Sequence, residues 1–307
     1  MNISRLAPLA LFVFKRPKHT QRVLEALSQC DFAKETDLFV FCDGARHEGE
    51  SEVVEKTRSV VREATGFRSV EYVMQSENKG LANSIIQGVS EVMKIYGKAI
   101  VLEDDLLPAV PFLRFMNACL SKYENHPKVF SVSGYNHPPD IMIFPQDYTA
   151  DVYFSYRNTS WGWACWQDRW ESIDWQVSDF TQFIKDRKAV RKFNRGGEDL
   201  THMLKGQLLG HFDSWSIRFS YAQSRQDAYS VYPVKSYIHN IGFDGTGTHT
   251  GFRDDFNDLS QALERFTLPD EVWLDDTLVD LFRKVYDYSV MHKVKIKVKS
   301  LLGQNIY

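Results

Sequence analysis

Glu103-Asp104-Asp105 is the densest run of chemistry in this 307-residue sequence, and it directly follows the apolar stretch 98–102. Carboxylates gathered at a strand end repel one another and cost desolvation unless something cationic is bound. A hard divalent ion with oxygen ligands offsets that cost, and such ions commonly bridge to a substrate diphosphate. The alternative is a solvated acidic turn capping the next helix. Asp43 follows Phe39-Val40-Phe41-Cys42 and precedes Gly44. Its carboxylate could accept hydrogen bonds from a base or a ribose, and a plain Asp-Gly turn accounts for it equally well. Asn78-Lys79-Gly80 stands just before a helical pattern that begins at Leu81. The N–H groups and positive dipole end of a helix would face an anion there; an Asn helix cap is the plainer reading.

The second half carries different chemistry. Five of the seven tryptophans fall between Trp161 and Trp175, and a Gly-rich segment runs from His239 to Gly251. Tryptophan faces stack on sugar C–H surfaces, although aromatic clusters most often build cores. Glycines let a loop close over a ligand with its N–H groups inward. At the end, Lys293, Lys295, Lys297 and Lys299 alternate with Val and Ile. The strand period puts these lysines on one side, either as peripheral contacts to an anionic membrane or as a lysine-protected edge strand.

These residues need a scaffold, and the first 140 residues read as alternating strands and helices. Apolar runs at 9–14, 37–41, 69–74 and 98–102 predict strands. Helical spacing at 19–27, 52–63, 81–96 and 111–123 predicts the helices between them. Such alternation predicts an α/β fold with a mostly parallel sheet covered on both faces, with ligands at the carboxyl ends of its strands. Asp43 and the Glu103–Asp105 run lie at such ends. We expect a first region at 1–140, a second at 141–260, and a helical, basic tail at 261–307 packed on the same unit.

Composition narrows the class. Hydrophobic residues at 43% and charged residues at 25% describe an ordinary globular chain rather than a disordered or fibrous one. A formal net charge of −3 argues against an extended nucleic-acid surface. Cys30, Cys42, Cys119 and Cys165 form no CxxC pair, so reduced, buried thiols of a cytoplasmic protein are expected. No apolar run approaches a membrane span.

Taken in order, LALFVFKRP, FCDG, ENKGLANSI, VLEDDLLP and the later DSW resemble the motifs of GT-A glycosyltransferases. The chain is similar to inverting enzymes of the N-acetylglucosaminyltransferase I type, whose acidic motif also reads EDD. It is similar as well to bacterial family 2 enzymes of surface-polysaccharide assembly. The resemblance covers roughly residues 6–250 and implies a Rossmann-like nucleotide-sugar domain with a smaller acceptor-side region, which makes 1–140 the donor region and 141–260 the acceptor and catalytic-base region. It implies a UDP-sugar donor, Mn2+ or Mg2+, and a saccharide or lipid-linked saccharide acceptor. Carried over by position, Asp43 would bind the nucleoside and Asp105 the metal, while Glu103 and Asp104 would contact sugar or ribose. Arg16 would meet the diphosphate, and Asn78 and Lys79 would join the donor site. Asp213 matches the catalytic base, which takes the acceptor's proton; Glu198 or Asp199, in a Gly-Glu-Asp motif, is the alternative. Trp215 would shield Asp213, and Trp161 and Trp163 would meet the acceptor. His249 would add a metal or phosphate contact, with His239 a weaker candidate.

Three other readings stay open on these residues. A sugar-phosphate nucleotidyltransferase also joins a nucleotide fold to acidic metal ligands, but normally has a Gly-rich loop where this chain reads FKRPKHTQR. A non-catalytic carbohydrate-binding protein would use the tryptophans as its platform. A retaining transferase would share the first half.

Overall fold

The computed structural model describes residues 6–245 and 257–287. The chain opens with β1 (Leu9–Val13), α1 (Pro17–Ser28), β2 (Asp37–Cys42), α2 (Ser51–Arg62), β3 (Ser69–Met74), α3 (Leu81–Tyr96) and β4 (Lys98–Glu103). A short β5 (Leu106–Pro108) leads to α4 (Phe112–Tyr123), β6 (Val129–Ser133), β7 (Val152–Ser155) and β8 (Trp163–Trp166). Helices α5 (Gln167–Glu171), α6 (Phe180–Phe183), α7 (Arg187–Phe193), α8 (Leu200–Leu208) and α9 (Trp215–Arg225) follow. The chain then forms β9 (Tyr229–Pro233), β10 (Ile238–Asn240) and α10 (Asp276–Val285).

One eight-stranded sheet runs β3-β2-β1-β4-β8-β6-β9-β7. Strands β1 to β4 pair in parallel, whereas β8 runs antiparallel to both β4 and β6. The sheet is therefore mixed beyond β4, and it continues across residue 140. The parallel strands β1 and β2 are buried throughout, as their unbroken apolar runs require. Strand β3 departs from that pattern: it is the sheet edge, and its side chains are exposed or half-buried.

Helix α3 shows how the cover forms. Ala82, Ile85, Val89, Val92 and Met93 recur at helical spacing and are buried. The helix stops at Gly97, which adopts φ +74° and donates its N–H to the Met93 carbonyl at 2.7 Å. A smaller helical core joins Phe183, Phe193, Leu204, Ile217 and Tyr221, and a third joins Tyr153, Tyr232 and Phe282 of α10. All four cysteines are buried and free. Among the described residues, no helix is long and apolar enough to cross a membrane. The four alternating lysines, 293 to 299, lie outside the described residues.

Asp37, at the start of β2, fixes the sheet edge. It is 7% exposed and accepts hydrogen bonds from Arg68, Ser69 and Tyr96. These donors, Arg68 foremost, hold its carboxyl well below the usual carboxylate range. Its contribution is thus present above the unfolded-state value near 4 and is lost as pH falls through that region and below. Asp37→Asn is expected to cost about 2 kcal/mol at pH 7, with the gap to wild type closing in acid. Urea unfolding across pH 3–7 checks this; a pH-independent difference contradicts it.

Candidate functional site

Between β1 and β4 the strand order reverses, because the chain winds β1-β2-β3 to one side and then returns to place β4 on the other. In open α/β sheets the crevice outside the carboxyl ends at such a point is where ligands bind. Arg16 sits there, immediately after β1 and before Pro17, which starts α1. One of its terminal nitrogens lies 2.8 Å from Asp105 Oδ2 and 3.7 Å from Asp104 Oδ1. The other donates to the Gly242 carbonyl at 3.3 Å and lies 3.8 Å from Asp244 Oδ1.

The acidic run is electrostatically loaded. Burial, and then the charge of Asp105, push the Asp104 carboxyl up to about 7, against the pull of Arg16. Asp104 Oδ2 also accepts the Phe14 N–H at 3.3 Å, which draws it to the end of β1. Burial and the charges of Asp105 and Asp104 raise Glu103 well above its usual range. Glu103 and Asp104 therefore tend to keep their protons beside Arg16, and added positive charge would favour their ionised forms.

The Gly-rich segment closes over this end. Strand β10 pairs antiparallel with β5, setting Asn240 opposite Leu106. Ile241 then donates its N–H to the Asp105 carbonyl at 2.8 Å. A Cβ at residue 242 would stand 2.2 Å from Asp105 Oδ2, so a larger residue there would push the Asp105 carboxylate aside. His19 of α1 meets the segment from below, with Nε2 3.3 Å from the Ile241 carbonyl and 3.2 Å from Asp244 Oδ2. Asp244, Gly242 and His19 therefore belong to the site, although the sequence signalled only a permissive loop. His239 is an anchor for this loop: Asn257 donates its N–H to Nδ1 at 3.4 Å, and burial lowers the imidazole's basicity. His249 lies outside the described residues.

Asp43 is committed to the protein. Its Oδ1 accepts the N–H groups of Gly44 at 2.9 Å and Lys79 at 2.8 Å. Its Oδ2 accepts the Asn78 side-chain amide at 2.9 Å and the Gly80 N–H at 3.1 Å. These four bonds use the full acceptor capacity of a carboxylate. Asp43 thus clamps the turn before α3, and a nucleoside would reach it only by displacing one of these donors. The two loops approach so closely that a Cβ on Gly44 would lie 2.3 Å from the Glu77 carbonyl carbon. The Asn78 amide is spent on Asp43 and Gly44, and the Lys79 ammonium folds back to Gln87 on α3 at 2.9 Å. Neither side chain points to a donor role here; their backbone does the positioning.

Asp213 stands on the other side of that turn, its Oδ2 4.0 Å from where a Cβ of Gly80 would be. Ser214 caps α9 by accepting the Ile217 N–H, and Trp215 is buried, which fixes the helix start and leaves Asp213 half exposed. Arg218, one turn into α9, donates to Asp213 Oδ1 at 3.3 Å. Asp199 lies elsewhere: it makes a two-point ion pair with Arg157, at 2.7 and 2.9 Å, under the Tyr286 ring. That pairing engages both of its oxygens. Glu198 is half-buried on the same turn, which packs against α10.

The tryptophans divide differently from expectation. Trp163 is 2% exposed and Trp215 3%, and they stack at 4.6 Å, with Trp170 on the far face of Trp163 at 5.6 Å. Both are therefore core, which sets aside the acceptor contact expected of Trp163 and leaves Trp215 no face for a sugar. Trp161 is half-buried, 4.6 Å from Tyr135 and 5.5 Å from Phe243 of the Gly-rich segment.

Among the described residues, no three His, Cys, Asp or Glu side chains gather into a ready-made metal cage. The donor set still fits a hard divalent ion. Among the described residues, the hydrogen bond to the Asp105 carboxylate falls on Oδ2, which leaves Oδ1 as an oxygen ligand. Ions of this kind are commonly held by one or two carboxylates, with substrate phosphates and water completing the shell.

No protein-family model matches the chain, and no curated protein matches it significantly in sequence. Solved structures resemble it at a distance. A mannosyltransferase from Pyrobaculum calidifontis, in complex with GDP-Man and Mn2+, is 13% identical, covers 73% of this chain and 71% of its own, and superposes with a TM-score of 0.41. A TarS fragment of S. aureus is 12% identical over 76% of this chain and 60% of its own, with a TM-score of 0.40. A UDP-glucose pyrophosphorylase complexed with UDP-glucose is 10% identical over 74% of this chain and 90% of its own, with a TM-score of 0.37. Likeness this remote transfers neither activity nor substrate.

Two substitutions test these assignments. Asp43→Asn replaces acceptors with a donor facing two backbone N–H groups, and is expected to cost about 1–3 kcal/mol and to raise hydrogen exchange in the turn at 78–80. Trp163→Ala is expected to cost about 3–5 kcal/mol, as loss of a buried aromatic does. A Trp163→Ala protein of unchanged stability in chemical denaturation would return that ring to the surface.

Proposed function

We propose that the chain is a metal-dependent, inverting glycosyltransferase that moves a sugar from a nucleoside-diphosphate donor, most simply a UDP-sugar, to a saccharide acceptor. The observation that carries this reading is the convergence of Arg16, Asp104 and Asp105 at the β1/β4 reversal, with the Asp43-clamped turn beside them and Asp213 across that turn. A cation and hard oxygen donors at that crevice suit a diphosphate; an exposed carboxylate nearby suits a base.

Each side chain then has a task. Asp105 would hold the divalent ion, which when bound neutralises charge on the departing phosphates. Arg16 turns its guanidinium to the diphosphate in two-point contact. Asp213 takes the proton from the acceptor hydroxyl, and that oxygen bonds to the anomeric carbon from the face opposite the diphosphate. The bond from that carbon to the diphosphate oxygen breaks, and its electron pair leaves with the nucleoside diphosphate. Arg218 orients Asp213 through the 3.3 Å contact. Trp161 and Phe243 border the acceptor side. A lipid-linked glycan of bacterial surface-polysaccharide assembly is the acceptor class this reading favours, with the enzyme on the cytoplasmic side.

The test is a thermal-shift panel of UDP, GDP, CMP and dTDP, with and without Mn2+, on wild type and Asp105→Asn. A ligand at about 100 times its Kd adds about 2.7 kcal/mol. One nucleotide should stabilise wild type, lose most of its effect in EDTA, and fail on Asp105→Asn. Asp213→Asn should keep that binding and lower kcat by about 10²–10⁴-fold. Absence of nucleotide binding under all conditions contradicts the reading; release of pyrophosphate rather than nucleoside diphosphate assigns a nucleotidyltransferase.

A further inference from the structure

We propose that Arg16 is a placeholder for the divalent cation at Asp105 and passes to the diphosphate when the donor arrives, so that metal and nucleotide bind cooperatively; this rests on the nucleotide-sugar reading above. The guanidinium bridges two chain segments. It reaches Asp105 at 2.8 Å and Asp104 at 3.7 Å on one side, and Asp244 at 3.8 Å and the Gly242 carbonyl at 3.3 Å on the other. Among the described residues it is the cation paired with the acidic end of β4, and its side chain is only 14% exposed, so its charge is weakly screened.

A divalent ion ligated by Asp105 would lie beside this guanidinium, and the two positive charges repel. With Arg16 in place the ion alone binds weakly, although the local carboxylates favour it. A diphosphate changes both conditions. It offers Arg16 a planar, two-point partner, and its oxygens complete the ion's shell. Each ligand therefore strengthens the other, and the coupling is reciprocal. Asp244 and Gly242, which hold Arg16 from the Gly-rich segment, lose that partner in the same exchange.

The experiment measures free Mn2+ by electron paramagnetic resonance and UDP by calorimetry, for wild type, Arg16→Gln and Arg16→Lys. Without nucleotide, Arg16→Gln should bind Mn2+ about tenfold more tightly than wild type, and with Mn2+ present it should bind UDP about tenfold more weakly. Arg16→Lys keeps the charge and loses the fork, so its Mn2+ affinity should stay near wild type while its UDP affinity falls. Wild type alone supplies a check that needs no variant: its Mn2+ affinity must rise when UDP is added. If Arg16→Gln folds and binds Mn2+ no better than wild type while UDP still binds, or if UDP leaves wild-type Mn2+ affinity unchanged, the placeholder role is overturned. If wild type binds no nucleoside diphosphate at all, the donor-site reading falls first, and the hand-over with it.

Discussion

One guanidinium facing a buried acidic run is the interaction around which this molecule is arranged. Glu103 ends a strand that lies inside the sheet and Asp104 follows it in the turn; burial together with the neighbouring charge of Asp105 makes ionisation of both costly. Each either keeps its proton or needs a cation beside it, because an unpaired buried charge is among the most expensive groups a protein can hold. Arg16 supplies one such charge. In the proposed function, further positive charge at Asp105 would shift both groups toward their ionised forms and would tie this end to a phosphate-bearing ligand.

The surrounding elements serve that end. Parallel pairing of β1 with β2 and β4 brings residues 16, 43 and 105 to one edge of the sheet. Pro17 begins α1 at once, which leaves Arg16 no room to wander. The β5–β10 pair delivers the Gly242–Asp244 segment onto the acidic run from more than a hundred residues away in sequence. Asp43 performs the same service at the next strand end, where its four hydrogen bonds hold the turn that faces Asp213. The buried stack of Trp163 and Trp215 holds α9 against the sheet and so sets where Asp213 stands.

The first half of the fold was readable because its signals are local. Unbroken apolar runs and helical spacing marked β1 to β4 and α1 to α4 within a residue or two, and the strand-end acids could be placed from that alone. Where the signal depended on distant partners, reading failed. Trp163–Trp166 is a strand buried on both faces, so it shows no alternation and looks like an aromatic cluster. The three-residue strands β5 and β10 exist only through one another. Nothing near Asp43 in sequence reveals that Asn78, Lys79 and Gly80 saturate it, and nothing near Asp199 reveals its pairing with Arg157. A motif identifies a residue's type and neighbours; whether its lone pairs are free for a ligand is a tertiary property.

The most direct test of the central claim is the position of a bound nucleotide. Crystals grown with UDP and Mn2+, measured at the manganese absorption edge, should show an anomalous peak at Asp105 and the diphosphate in two-point contact with Arg16. The base should lie toward the Asp43 turn. Density for the nucleotide elsewhere on the protein, or an ion at Asp105 with the diphosphate away from Arg16, would contradict the account.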